Sequence, residues 1–180
     1  MPKVQINGID LFYDIKGTGE PLLLIAGFLC DHAYWSLIMP SLVSQYQVIR
    51  LDNRGMGRSS APENPYSLKQ MANDVAALLD HIGINKVHVA GHSMGGQIAQ
   101  ELVLAHPEKV ESLILLSSLA KGDGLFNSII ETWGDLCKNV DLKLYEKVVL
   151  PWIVPNWVYL WLILSTPYLM RSPMSKMSKN

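Results

Sequence analysis

Gly91-His92-Ser93-Met94-Gly95 sets a serine between glycines two residues to either side. A serine hydroxyl is a poor nucleophile unless a base takes its proton as it attacks. It must also project clear of its own backbone, which a sharp turn from a strand into a helix achieves. Two residues before and after such a turn the chain lies against neighbouring elements, where only glycine has room. Gly91 and Gly95 meet that demand, and Gly96 lets the helix pack closer. The chemistry this pattern supports is acyl transfer through Ser93. The Met94 amide, at the start of the following helix, can donate to a developing oxyanion. A second donor is expected from the loop after an earlier strand. Ala26-Gly27-Phe28-Leu29 is that loop, with the Phe28 amide as the candidate.

Such a nucleophile needs a base within hydrogen-bond reach. His106 is the only histidine after Ser93. It lies at the far end of the same helix, ~20 Å away at 1.5 Å per residue. His92 adjoins Ser93, but adjacent side chains diverge around the turn. His32 follows the 26–29 loop and could border the pocket as a substitute base, whereas His81 and His88 read as surface or packing residues. Asp52, at a strand end and followed by Asn53-Arg54-Gly55-Met56-Gly57-Arg58-Ser59, reads as structural support for this end of the sheet. The glycine spacing there fits neither a P-loop nor a dinucleotide fingerprint.

The elements that must position these residues follow from periodicity. Residues 2–15 alternate apolar and polar about Asn7-Gly8, which predicts a β-hairpin with a type I′ turn. Pro21–Ala26 is a continuous apolar run, as in a strand buried on both faces of a parallel sheet, and Tyr46–Leu51 reads as a second buried strand ending at Asp52. A helix is expected over about 33–44. Ser67 with Gln70 forms a capping box, and Leu68, Met71, Val75, Leu78, Leu79 and Ile82 share one helical face, with Gly83 as a stop. Val87–Ala90 is a strand, Gly95–Ala105 a helix and Val110–Leu116 a strand. The alternation predicts an α/β fold: a mostly parallel sheet with an N-terminal antiparallel hairpin and helices on both faces. Leu125–Lys147 has the polarity of an amphipathic helix.

Composition bounds the rest. The 180 residues are 49% hydrophobic and 17% charged, with net charge −1. That suits a globular enzyme-sized domain and gives no reason to expect nucleic acid. Cys30 and Cys137 lie far apart without metal spacing, and the first residues lack the apolar region of a signal peptide. The expectations are free thiols, no metal, no cofactor and a cytoplasmic protein.

With LLLIAGF (22–28), LDNRGMGRSS (51–60) and VAGHSMGGQIA (89–99) in this order, the sequence resembles the α/β-hydrolase fold family of the esterase, lipase and enol-lactonase type. Ala26 stands where such proteins commonly carry histidine. The resemblance covers about residues 2–120. It implies Ser93 as nucleophile, Phe28 and Met94 as oxyanion donors, and Gly91 and Gly95 as elbow glycines. It also implies a triad acid and histidine beyond about residue 190, so the chain is expected to be truncated before both, with impaired turnover. Asp123 stands where some relatives place their acid, without a histidine to orient.

The expected organisation is a core over 1–120, a helical cap-like segment over 121–170 and a disordered tail over 171–180. Val148–Met170 carries no charge. It reads as cap helices, as sequence altered by truncation or frameshift, or as a membrane-associated segment, against which Pro151, Pro155 and Pro167 argue. The expected substrate is a small apolar ester or lactone. The alternative is a catalytically dead fragment or a non-catalytic binding protein. Val110–Leu116 would then be an exposed sheet edge and a route to self-association.

Overall fold

The computed structural model describes residues 2–153. Of the uncharged 148–170 segment only its first residues are described; the remainder and the 171–180 tail lie outside the described residues. The chain divides into two compact units between Ala120 and Lys121.

The first unit is built on a six-stranded sheet. β1 (Lys3–Ile6) and β2 (Ile9–Lys16) form the expected antiparallel hairpin. Asn7 and Gly8 both take left-handed φ, 47° and 79°, as a type I′ turn requires. β3 (Glu20–Ile25), β4 (Tyr46–Leu51), β5 (Val87–His92) and β6 (Val110–Leu116) follow. The spatial order is β1-β2-β4-β3-β5-β6, antiparallel through β2–β4 and parallel from β4 to β6. Leu23, Ile25, Ile49, Leu51 and Val89 are buried on one face, and Leu22, Leu24, Val48 and Ala90 on the other. That two-sided burial explains the unbroken apolar run Pro21–Ala26.

Helix α2 (Leu68–His81) starts at the Ser67–Gln70 capping box, with both reciprocal bonds present. Met71, Val75, Leu78 and Leu79 are buried on the first face of the sheet, with Leu68 and Ile82 partly buried beside them. Helix α3 (Met94–Ala105) buries Ile98, Ala99 and Leu102 in the same cluster. The expected helix over 33–44 is not continuous. It resolves into a 3-10 turn at His32–Trp35, capped by the Asp31 carboxylate, and the four-residue α1 (Met39–Leu42). Pro40 explains the break: it lacks the N–H an unbroken helix would need and suits a helix's first turn instead. Trp35 and Met39 still reach the second face of the sheet.

Among the described residues β6 pairs only with β5. Ile114, Leu115 and Leu116 are exposed there. In the second unit, α4 (Gly124–Asn139) begins at Asp123, whose carboxylate accepts from Phe126 N at 2.8 Å. α5 (Leu142–Ile153) follows Asp141, whose carboxylate accepts from Leu144 N at 2.9 Å, and it contains Pro151. The single helix expected over 125–147 is thus two. Among the described residues no helix is long and apolar enough to cross a membrane.

Candidate active site

Ser93 sits at the junction of β5 and α3 with φ 53° and ψ −119°, a left-handed conformation that costs a serine about 1–3 kcal/mol. The residue is exposed. The turn is clasped from β6: Ser93 N donates to the Leu116 carbonyl at 2.9 Å, and the Ser118 hydroxyl donates to the Ser93 carbonyl at 2.9 Å. Relief of the strain is measurable. Ser93→Gly is expected to raise stability by about 1 kcal/mol, the strain relieved less the chain entropy glycine adds. Thermal unfolding checks it, and a lower midpoint would mean that the observed backbone is not strained.

The flanking glycines are needed for closeness. A Cβ on Gly91 would strike the Gly95 carbonyl and approach Gly96 Cα to 2.6 Å. One on Gly95 would strike the Ile25 carbonyl oxygen and approach that of Ala26 to 2.6 Å. The elbow is therefore wedged against the exit of β3, and the loop after β3 is brought to the serine. At Gly27 a Cβ would meet Ser93 Cβ and His92 O at 3.2 Å and His92 Nδ1 at 3.3 Å.

That loop is a tight turn. Cys30 N donates to the Gly27 carbonyl at 3.3 Å, and Leu29 takes φ 59°. The bond that closes the turn leaves the Phe28 amide outside it. Met94 opens α3, where the first N–H groups have no partner within the helix. Met94 directly follows Ser93, and Phe28 directly follows Gly27, which lies beside Ser93. Two further residues, unmarked by any motif, hold this loop and the elbow. Buried Asn53 donates from Nδ2 to the Ala26 carbonyl at 3.0 Å, and Ser118 acts as above. Their only trace in the sequence is a polar residue at a strand exit. Cys30 is no rival nucleophile: burial, with Asp31 adding to it, pushes its thiol up to about 11.

The histidines are accounted for one by one. His32 Nδ1 lies 2.7 Å from Asp52 Oδ1, and its ring packs on Phe12 of β2 with centroids 4.7 Å apart. With Tyr13, Asp14, Ser36 and Arg50 it borders a cleft of about 560 Å3 on the β2 side of the sheet. Asp52 follows β4 and Ser93 follows β5, with β3 between them, so these strand exits are ~10 Å apart. His32 Nδ1 is committed to Asp52, and no bond joins His32 to Ser93 among the described residues. His88 pairs with Ser112 at 2.7 Å, and His106 Nε2 with Asn73 Oδ1 at 3.0 Å. His81 stands edge-on to Tyr13. His92 stacks on Tyr34, centroids 4.8 Å apart and planes at 27°. Its Nδ1 is enclosed without a hydrogen-bond partner.

Burial holds the His92 imidazole below its ordinary pKa. The sign follows from linkage. Below pH 6.5 the unfolded chain takes a proton that folded His92 resists, so stability falls as pH drops from that value toward the lowered folded one. His92→Phe is expected to flatten this part of the acid limb between pH 6.5 and 5 in urea unfolding. An unchanged pH slope would contradict it.

Asp52 supports the site as expected. It is fully buried. Oδ1 also accepts His32 N at 2.7 Å, and Oδ2 accepts Arg58 N at 2.8 Å. Asp31, His32 and Asp52 bring candidate metal-ligand atoms within 4.8 Å of one another. Those atoms are committed to one another and to the backbone, Asp31 Oδ1 accepting Ala33 N at 2.8 Å. The cluster is a loop anchor.

Known proteins share this fold. The family profile for the alpha/beta hydrolase fold matches residues 20–144. A protein of Azorhizobium caulinodans named "Putative carbamate hydrolase RutD" is 40% identical over 131 residues, covering 73% of this chain and 49% of that protein. The chain spans about half the length of the curated relatives of that name that it matches first. Among solved structures, Est816, described as an N-acyl homoserine lactone degrading enzyme, superposes with TM-score 0.68 at 33% identity, over 77% of this chain and 52% of that one. The enol-lactonase of Burkholderia xenovorans LB400 superposes with TM-score 0.78 at 27% identity, over 83% and 58%. The chain belongs to the alpha/beta hydrolase fold family.

Proposed function

We propose that Ser93 is the nucleophile of an acyl-transfer site for carboxylic esters or lactones of small or medium apolar acids. One observation carries this reading: an exposed serine at φ 53° between a strand and a helix, with Gly27 of the loop after β3 packed against its Cβ. In the proposed step Ser93 Oγ bonds to the scissile carbonyl carbon and gives its proton to solvent water, which later returns one to the leaving alkoxide, while the carbonyl π electrons move to oxygen. The Phe28 and Met94 amides take that charge. Collapse expels the alcohol, and water then releases the acid from the acyl-enzyme. Exposed Phe28 and Tyr34 give the entrance an apolar character.

Among the described residues His32, His88 and His106 are hydrogen-bonded elsewhere, and none of them is proposed as the acceptor of the Ser93 proton. The proposal is therefore slow turnover by this chain. Loss of a triad base typically costs several powers of ten, with a residue of catalysis left by the oxyanion donors. The same bonding pattern favours the second reading, a binding protein that keeps the pocket without turning over. Cytoplasm is the proposed location, on the two free thiols. Self-association through the open β6 edge belongs to the same proposal.

The test is hydrolysis of p-nitrophenyl acetate and butyrate with a fluorophosphonate probe run alongside, against Ser93→Ala. Slow labelling at Ser93 and weak hydrolysis that Ser93→Ala removes are expected. Unlabelled Ser93 in a folded chain would favour the binding reading. Hydrolysis unaffected by Ser93→Ala would overturn the nucleophile assignment.

A further inference from the structure

The cleft of about 560 Å3 beside β2 has no part in the acyl-transfer reading, and neither Ser93 nor Gly27 lines it. Its volume falls within the range of small-molecule sites, about 300–1,000 Å3. Two buried side chains of opposite charge, Arg50 and Asp14, form its floor. The β2–β4 register sets Asp14 against Arg50 and Lys16 against Val48. Side chains alternate along a strand, so Lys16 stands on the same face as Asp14. Ser36, which ends the 3-10 turn, borders the cleft beside His32.

Donors and acceptors are unevenly matched there. Arg50 Nε donates to Asp14 Oδ1 at 2.9 Å, Nη2 donates to Asp14 Oδ2, and Nη1 donates to the His32 carbonyl at 3.0 Å. A guanidinium has five N–H groups. One N–H on Nη1 and one on Nη2 therefore remain, on a side chain only 5% exposed. Buried donors without an acceptor are costly, and the cleft is where an acceptor can reach these two. The Lys16 ammonium and the Ser36 hydroxyl also have no partner among the described residues. Asp14 is the one carboxylate in the lining, and both its oxygens are committed to Arg50. Asp14 offsets the charge of Arg50, while among the described residues nothing offsets that of Lys16.

We infer that this cleft binds a small carboxylate monoanion, held by the two spare Arg50 N–H groups, the Lys16 ammonium and the Ser36 hydroxyl. The surplus of donors and the occupied carboxylate exclude a cation. One uncompensated positive charge matches a monoanion rather than a doubly charged phosphate group. The planar guanidinium also suits a planar carboxylate. Binding here needs nothing from Ser93, so the inference stands apart from the nucleophile reading.

The experiment uses the full chain labelled with 15N. Propionate, its neutral counterpart propionamide and inorganic phosphate are titrated in separately at pH 7.5. Propionate should shift the Lys16 and Ser36 amide signals and the Arg50 Nε–H signal. It should bind at least about fivefold more tightly than propionamide, since bonds to a charged acceptor are roughly twice as strong as neutral ones. Lys16→Gln should weaken propionate at least about threefold, and Ser36→Ala at least about twofold, each removing one contact. Both residues are exposed, and both variants keep the Arg50–Asp14 pair, so the fold is retained. Lys69→Gln, which removes an exposed lysine from α2, should leave the affinity unchanged.

Equal binding of propionate and propionamide, no shift at Lys16 and Ser36, or an equal loss in Lys69→Gln and Lys16→Gln would each overturn the inference. Tighter binding of phosphate than of propionate would overturn the carboxylate class. Propionate shifts confined to Phe28 and Met94 would place the anion at Ser93 and overturn the cleft as its site.

Discussion

Asp52→Ala is expected to destabilise the folded chain by about 3–5 kcal/mol, the scale of removing one member of a buried, hydrogen-bonded charged set. The carboxylate is fully buried and accepts three bonds, from His32 N, His32 Nδ1 and Arg58 N. Alanine leaves those donors short of a partner, each at about 1–3 kcal/mol where burial holds. The segment after β3 and the segment after β4 lose one of their ties, the Asn53–Ala26 bond remaining. In urea the midpoint should fall by more than about 1 M, given slopes of about 1–3 kcal/mol per M. Asp52→Asn keeps the shape and one acceptor oxygen, so it should lose less. A midpoint shift for Asp52→Ala below about 0.3 M would show that the anchor is dispensable. Because the freed 3-10 turn carries Tyr34, the His92 ring should also lose its platform and its restricted orientation.

Gly95→Ala is expected to be the most damaging small substitution in the chain. The added carbon would strike the Ile25 carbonyl and crowd that of Ala26. Both are backbone atoms at the end of a central strand, so no side-chain rotation relieves the contact. Overpacking in cores costs about 1–3 kcal/mol where side chains can adjust, and more where they cannot. Loss of soluble protein, or destabilisation beyond about 3 kcal/mol, is the expected result by yield and urea unfolding. Gly134→Ala provides the contrast. It lies within α4, has open space around the added carbon and has no left-handed φ. Helix propensity predicts about 1 kcal/mol of stabilisation there. Similar behaviour of the two variants would refute the steric argument.

The contrast also shows which features can be read from a chain and which cannot. Ser67 and Gln70 are three residues apart, and their capping box is a local matter that the structure reproduces bond for bond. β3 was legible because burial on both faces leaves Pro21–Ile25 without a polar position, and the β1–β2 hairpin because its residues alternate about Asn7-Gly8. The Gly-x-Ser-x-Gly spacing likewise encodes a turn, and the turn is there.

What escaped was tertiary or subtle. Asp52 and His32 are far apart in sequence, and neither residue advertises the other. Asn53 and Ser118 look like ordinary loop residues until Ala26 and Ser93 are brought beside them. The helix expected over 33–44 failed for a reason that was visible: Pro40 permits a start but forbids passage. The split of the expected 125–147 helix into α4 and α5 had a similar cue in Asp141, which caps the second of them. His92 is the most instructive case. Adjacency to Ser93 argues against it as a base, and only the fold reveals that its ring stacks on Tyr34 with Nδ1 enclosed.

The strand order has a consequence for how the chain is made. β4 lies between β2 and β3, although it is synthesised after both. When β3 has left the ribosome, its neighbours β4 and β5 do not yet exist, and only the β1–β2 hairpin has its partner. The emerging chain therefore carries the apolar Leu22–Ile25 run unpaired until Tyr46–Leu51 appears between it and the hairpin. At about 5–20 residues per second, that interval lasts a few seconds. It is the period in which a holding chaperone would matter most to this protein.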